Sequence, residues 1–159
     1  MLPHTTSTLS SMDVTSITSL ALCNLIRQRP EQLIFPPILK PSLDELLEIQ
    51  SPFTFLTCQF DDKFEKLINR WLCACWMVGS NKGVRLISFN ITGHTISPHV
   101  LLRNIPYVVH PPTVSRSIVT PANVEVVVVG GYGIKNYDKV EATIAVGADT
   151  MNIIVWESK

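Results

Sequence analysis

Between residues 62 and 75 the apolar positions Phe64, Leu67, Ile68, Trp71, Leu72 and Cys75 fall at i, i+3, i+4, i+7, i+8 and i+11. That spacing lines one face of an α-helix. Lys63, Lys66, Asn69 and Arg70 lie away from the stripe, and Asp62 precedes Lys66 by four residues, close enough to pair with it. The run from Asp62 to Glu65 reads as a capping box, and the glycine-bearing turn at 79–83 ends the helix. Ser42 and Glu45 form a second capping box, which starts a helix running to about Gln50 and halted by Pro52.

Residues 53–60 alternate apolar and polar positions and read as a strand. After Gly83 the pattern turns to strands at 84–91, 124–129, 140–146 and 151–156, with glycine turns between the last three. Residues 93–123 carry Pro98, Pro106, Pro111, Pro112 and Pro121 and read as a loop holding only short strands, such as 107–110. Helices first and a meander last predict an α+β domain over residues 42–159: an antiparallel sheet with a few helices packed on one face.

The first 41 residues read differently. Ten of the fifteen residues at 5–19 are Ser or Thr, a composition suited to a solvated, mobile tail. Val14, Ile17, Ala21 and Leu25 then recur at helical spacing behind Asp13, predicting a short helix that ends before Pro30. Pro30, Pro36, Pro37 and Pro41 stiffen the segment after that helix into an extended arm. Its side chains Leu33, Ile34, Phe35, Ile38 and Leu39 are too apolar for a free linker, so the arm is expected to lie on protein surface and to carry self-association.

Charge changes this picture more than composition does. The formal net charge is zero, yet residues 66–124 contain no Asp or Glu while carrying Lys66, Arg70, Lys82, Arg85, Arg103 and Arg116. If the fold shows these six on one face, that face attracts phosphate, from anionic lipid or from nucleic acid. With 46% hydrophobic residues and 16% charged ones, the chain is not of the disordered class. No apolar run reaches membrane-spanning length. The apolar segment at 17–26 follows Asp13 and is preceded by no Lys or Arg, unlike a secretion signal. Cys23, Cys58, Cys73 and Cys75 have no regular spacing and read as buried thiols of a reducing compartment.

Three chemical readings fail on spacing. The run at 126–133 (VVVVGGYG) resembles a strand entering a nucleotide loop, but another strand follows instead of a helix. It reads as a flexible hairpin tip presenting Tyr132 and Lys135 to a partner or headgroup. Cys73 and Cys75 with His94 and His99 lack the paired spacing of a zinc site, so no metal or other cofactor is predicted. Thiol pairs between Cys58, Cys73 or Cys75 and His94, His99 or His110 match no catalytic signature, and no catalytic residue is assigned.

The segments 53–60 (FTFLTCQF), 66–71 (KLINRW) and 82–89 (KGVRLISF), with the order of elements around them, resemble the matrix proteins of rhabdoviruses, particularly those of plant-infecting members. The chain lacks the lysine-rich N-terminus and the Pro-Pro-x-Tyr budding signal of better-known animal-virus members, since Pro111 and Pro112 are followed by Thr113 and Val114. The resemblance implies a non-enzymatic structural protein of host cytoplasm and virion that self-associates. It also implies contact with the viral nucleocapsid and with the inner face of an anionic membrane, the six cations being the contact set. Two further classes fit the same features: an RNA-binding or suppressor-type accessory protein, and a small intracellular protein-interaction domain.

Overall fold

The computed structural model describes residues 6–8, 26 and 28–156. Most of the Ser/Thr-rich tail, the short helix behind Asp13, and Cys23 lie outside these residues. The described chain is α+β, as its pattern predicts. Eight strands form one mixed sheet in the order β1-β2-β3-β4-β8-β7-β6-β5: β1 (Thr6–Thr8), β2 (Gln32–Phe35), β3 (Phe53–Leu56), β4 (Leu86–Asn90), β5 (Val108–Val119), β6 (Glu125–Lys135), β7 (Glu141–Val146) and β8 (Thr150–Val155). The helices are α1 (Leu43–Glu48), α2 (Asp62–Trp71) and α3 (Pro98–Leu101), and a π-helical turn at Leu72–Trp76 extends α2.

The sheet has two halves. β1 to β4 are parallel neighbours, whereas β4, β8, β7, β6 and β5 are antiparallel throughout. The meander is the half predicted from the glycine turns; the parallel half is not. Parallel strands require crossovers, and α1 and α2 supply them between β2 and β3 and between β3 and β4. Both steps run the same way along the sheet, so crossovers of one hand bring both helices to one face. There Leu46, Phe64, Ile68 and Trp71 share a core with Leu33, Phe35, Leu56, Ile87 and Phe89.

This arrangement corrects the reading of the segment after Pro30 as an arm outside the domain. Leu33 and Phe35, assigned to an arm, are fully buried on β2, between β1 and β3. Ile34 and Leu39 are partly buried, Leu39 against the same core, and Ile38 alone of the five projects into solvent, at 73% exposure. Pro30 and Pro36 bracket β2 without entering it, so they limit its length and leave its pairing intact.

The α1 capping box forms as predicted: the Glu45 N–H donates to Ser42 Oγ at 3.3 Å, and Glu45 Oε1 accepts from the Ser42 N–H at 3.4 Å. The box predicted at Asp62–Glu65 does not form. Asp61, not Asp62, caps α2 by accepting the Phe64 N–H at 2.8 Å, and Glu65 turns inward instead of back to the cap. Asp62 makes no ion pair with Lys66; its carboxylate lies 3.8 Å from His94 Nδ1. The apolar stripe of α2 continues into the π-helical turn, where the Met77 N–H bonds the Leu72 carbonyl at 2.9 Å. The wider turn inserts Leu72, Cys75 and Trp76 together into the core.

Asn81 fastens this turn to α1. It is 1% exposed and left-handed at φ +60°, a conformation Asn tolerates. Its Nδ2 group lies 2.9, 3.0 and 2.7 Å from the carbonyls of Leu46, Leu47 and Ile49, and its Oδ1 accepts the Trp71 indole N–H at 3.2 Å. One side chain thus serves the carbonyls that end a helix and a buried indole donor.

The opposite face of the sheet is covered by its own far edge. Residues 93–123 do not form the expected loop: they contain α3 and the twelve-residue β5. β5 holds Pro111 and Pro112 because it is an edge strand, and the pairing register shifts between His110 and Ser115, where the prolines owe no ladder hydrogen bond. Alongside, Gly130 and Gly131 adopt φ +69° and +93° within β6. The glycine run is therefore a mid-strand bend, not a hairpin tip. Beyond the bend the β5–β6 hairpin curls back, and its Ile118 and Val128 pack on Phe53, Leu86 and Ile154.

Candidate functional site

The curl creates a cleft whose roof is the hairpin and whose floor is the sheet. Its inner end is filled by the apolar cluster around Ile118 and Val128, and its mouth opens into a cavity of about 440 Å³. Alternation places Arg116 of β5 on the same inward face as Ile118, while Gly133 and Lys135 of β6 and Glu141 and Thr143 of β7 lie on the floor. The Arg116 guanidinium stacks on the Trp156 ring at 3.9 Å, and the indole N–H of Trp156 donates to Thr143 Oγ1 at 2.9 Å. His110 lies directly over Gly133: a side-chain carbon at that glycine would collide with His110 Nε2. Glycine is what lets the imidazole enter the cavity wall.

Glu141 stands between two cations without satisfying either. Its carboxylate oxygens are 3.8 Å from Arg116 Nη1 and 3.6 Å from Lys135 Nζ, beyond hydrogen-bond length. All three side chains are about half exposed or more, so these pairings contribute little stability.

The other predicted cations are dispersed. Lys66, Asn69, Arg70 and Cys73 share one outward stripe of α2 and its extension. Asn69 Nδ2 donates to the carbonyls of Leu101 and Arg103 at 2.8 and 3.0 Å, which holds the Arg103 backbone against the stripe that carries Lys66 and Arg70. These three are exposed and, among the described residues, make no ion pair. Lys82 sits in the turn after the π-helical segment, and Arg85 lies over the Phe53 ring at 5.9 Å. Arg116 is across the sheet from α2. The six cations are therefore dispersed, not on one face: Lys66, Arg70 and Arg103 lie on the helix layer, Arg116 lines the cleft, and Lys82 and Arg85 stand apart from both.

The three described thiols and the Glu65–His94 pair act within the fold. Burial pushes the thiols of Cys58, Cys73 and Cys75 above their ordinary pKa, which disfavours the reactive thiolate. Glu65 is buried against His94 Nε2 at 2.6 Å and accepts the Ser97 N–H at 3.2 Å, tying the segment after β4 to α2. The described residues contain no group of three or more His, Cys, Asp or Glu side chains able to hold a metal ion. No helix among them is long and apolar enough to cross a membrane.

The outer face of the curled hairpin is apolar. Val109, Val119, Val124, Val127 and Val129 are each more than half exposed on or beside β5 and β6. The Thr120 N–H bonds the Val124 carbonyl, so alternation turns the backbone groups of Ser115, Ser117 and Val119 away from β6 and toward the open edge. Sequence reasoning named Arg116, considered His110 only as a thiol partner, put Lys135 on a loop tip and missed Glu141 and Trp156. The signal available was the glycine run, which allows a bend wherever it falls in a strand. Comparison with known proteins returns no match: no family model, curated protein or solved structure is significantly similar to this chain.

Proposed function

We propose that this chain is a non-catalytic structural protein of the matrix type, which docks on an anionic membrane surface through Lys66, Arg70 and Arg103 and associates with further copies of itself. The observation that carries the reading is that Lys66 and Arg70 share the outward stripe of α2, that the Arg103 backbone is bonded to Asn69 of the same stripe, and that no carboxylate is paired to these three cations among the described residues. Each cation held near an anionic surface contributes about 1 kcal/mol, so three give about 3 kcal/mol, roughly two orders of magnitude in affinity. The same role is implied by the likeness to rhabdovirus matrix proteins, whose other partner is the nucleocapsid.

The predicted arm cannot supply self-association through Leu33 and Phe35, which the core consumes. The open edge of β5 takes that role in this reading: its unpaired backbone and adjoining valines suit pairing with the β5 of a second copy. Co-sedimentation with vesicles across a salt series tests the surface. The triple variant Lys66→Glu, Arg70→Glu, Arg103→Glu loses binding to anionic vesicles about a hundredfold or more, whereas equal binding by variant and wild type defeats the proposal. Tighter, steeply salt-dependent binding to RNA moves the assignment to an RNA-binding protein. Ser117→Pro, which blocks edge pairing, lowers the sedimentation mass if β5 joins the copies.

A further inference from the structure

The cleft mouth is chemically distinct from the α2 surface. We infer that Arg116, Lys135 and His110 form a binding site for a phosphate ester, with Glu141 acting as the internal carboxylate that the ligand displaces. Arg116 and Lys135 approach one anionic group from roof and floor, yet neither reaches hydrogen-bond distance of Glu141, and no hydrogen bond from either side chain is formed within the described residues. Their donors are unspent. The guanidinium lies over the Trp156 ring, whose own N–H is tied to Thr143, so the ring restrains it at the cleft mouth before any ligand arrives. His110 adds a third polar group from β5, its position secured by the absence of a side chain at Gly133.

Arg116 from the roof and Lys135 from the floor, with His110 in the lining of the same cavity, suit a tetrahedral oxyanion, which offers oxygens on several sides where a carboxylate offers two in one plane. The cavity of about 440 Å³ exceeds the volume of phosphate alone, and Pro106, Tyr107 and Val108 in its lining give the ester's organic part an apolar wall. Glu141 sets the affinity. It lowers the net positive charge of the site while the site is empty, so a dianionic phosphate competes where weaker anions do not.

The test is titration of isotopically labelled full-length protein with inorganic phosphate, followed by NMR at the Trp156 indole and the His110 ring. Saturable shifts at both are expected. Arg116→Gln and Lys135→Gln each weaken binding about tenfold, and Glu141→Gln tightens it about tenfold. The opposite sign at Glu141 separates an anion site from general loss of structure. Absence of a saturable shift, or an affinity that Glu141→Gln leaves unchanged or weakens, overturns the inference. A second arm adds phosphatidylcholine vesicles with and without phosphatidylinositol 4-phosphate to the phosphate-loaded protein. Displacement by the phosphorylated vesicles alone identifies a lipid headgroup as the source, and no displacement identifies a free phosphate ester. The site is independent of the α2 surface: the triple Glu variant on α2 retains phosphate binding whether or not the membrane-docking proposal survives.

Discussion

Replacing Asn81 tests the account of what joins the helix layer together. Asn81→Ala removes the acceptor of the Trp71 indole N–H and the donors to the Leu46, Leu47 and Ile49 carbonyls, at a position 1% exposed to water. A buried polar group left unpaired costs about 1–3 kcal/mol. The indole and the Ile49 carbonyl lose their partner outright, whereas the Leu46 carbonyl keeps the Ile49 N–H at 3.2 Å and the Leu47 bond is only part-buried, so two full losses at the lower half of that range give about 2–4 kcal/mol. Alanine at φ +60° adds about 1 kcal/mol relative to asparagine. The sum, about 3–5 kcal/mol, is a large fraction of a typical domain's stability. Urea denaturation followed by far-UV circular dichroism measures it.

Two companions separate the contributions. Asn81→Gly removes the conformational cost and should recover about 1 kcal/mol over Asn81→Ala. Asn81→Asp keeps the acceptor for Trp71 but points a carboxylate at three carbonyls, so its folded pKa rises above the unfolded value. The variant is therefore least unstable at low pH, where the carboxyl is protonated and can donate, and it loses stability as pH rises from the unfolded pKa to the raised folded one. An Asn81→Ala variant within about 1 kcal/mol of wild type, or an Asn81→Asp variant whose deficit does not grow with pH, would refute this account.

The packing gives three further expected outcomes. Thr54 is fully buried with no partner for its hydroxyl, so Thr54→Val should stabilise by about 1 kcal/mol and raise the melting temperature by about 2–4 °C; a fall would show that the hydroxyl is satisfied. The Phe64 N–H, followed by Lys40, holds the Asp61 carboxyl below its ordinary pKa, and Asp61→Ala should cost about 1 kcal/mol at neutral pH. Because the folded pKa is depressed, the wild-type advantage is full above the unfolded carboxylate pKa and narrows as acid titration passes the folded one. Gly131→Ala places a side-chain carbon 2.8 Å from the Ile144 carbonyl oxygen at φ +93°, and a drop in urea midpoint equivalent to about 2 kcal/mol or more is expected.

The elements most legible in the sequence were those whose signal is local. The α2 stripe, the Ser42–Glu45 cap and the meander strands needed only periodicity and turn residues. β2 was misread because four residues between prolines look alike whether they cross a surface or fill a sheet; only its neighbours β1 and β3 decide. Pro111 and Pro112 concealed β5 for the same reason, since an edge strand tolerates what a central strand forbids. Glu65 matched a cap by spacing but found a closer partner in His94, twenty-nine residues away. The cleft was least legible. Arg116 and Glu141 meet only because β6 bends at Gly130 and Gly131, and neither the angle nor the strand facing the bend is written in the charge pattern.

The position of β8 has a consequence for the order in which this protein can assemble during synthesis. Among the described strands, β8 lies between β4 and β7 and joins the parallel half of the sheet to the meander. Everything from β1 to β7 leaves the ribosome before it. Until residues 150–155 emerge, β4 and β7 each present an unpaired edge carrying apolar side chains such as Ile87, Phe89 and Ile144. Until then the nascent chain holds two incomplete half-sheets, open to wrong partners and to chaperones, which β8 joins when it slots between them.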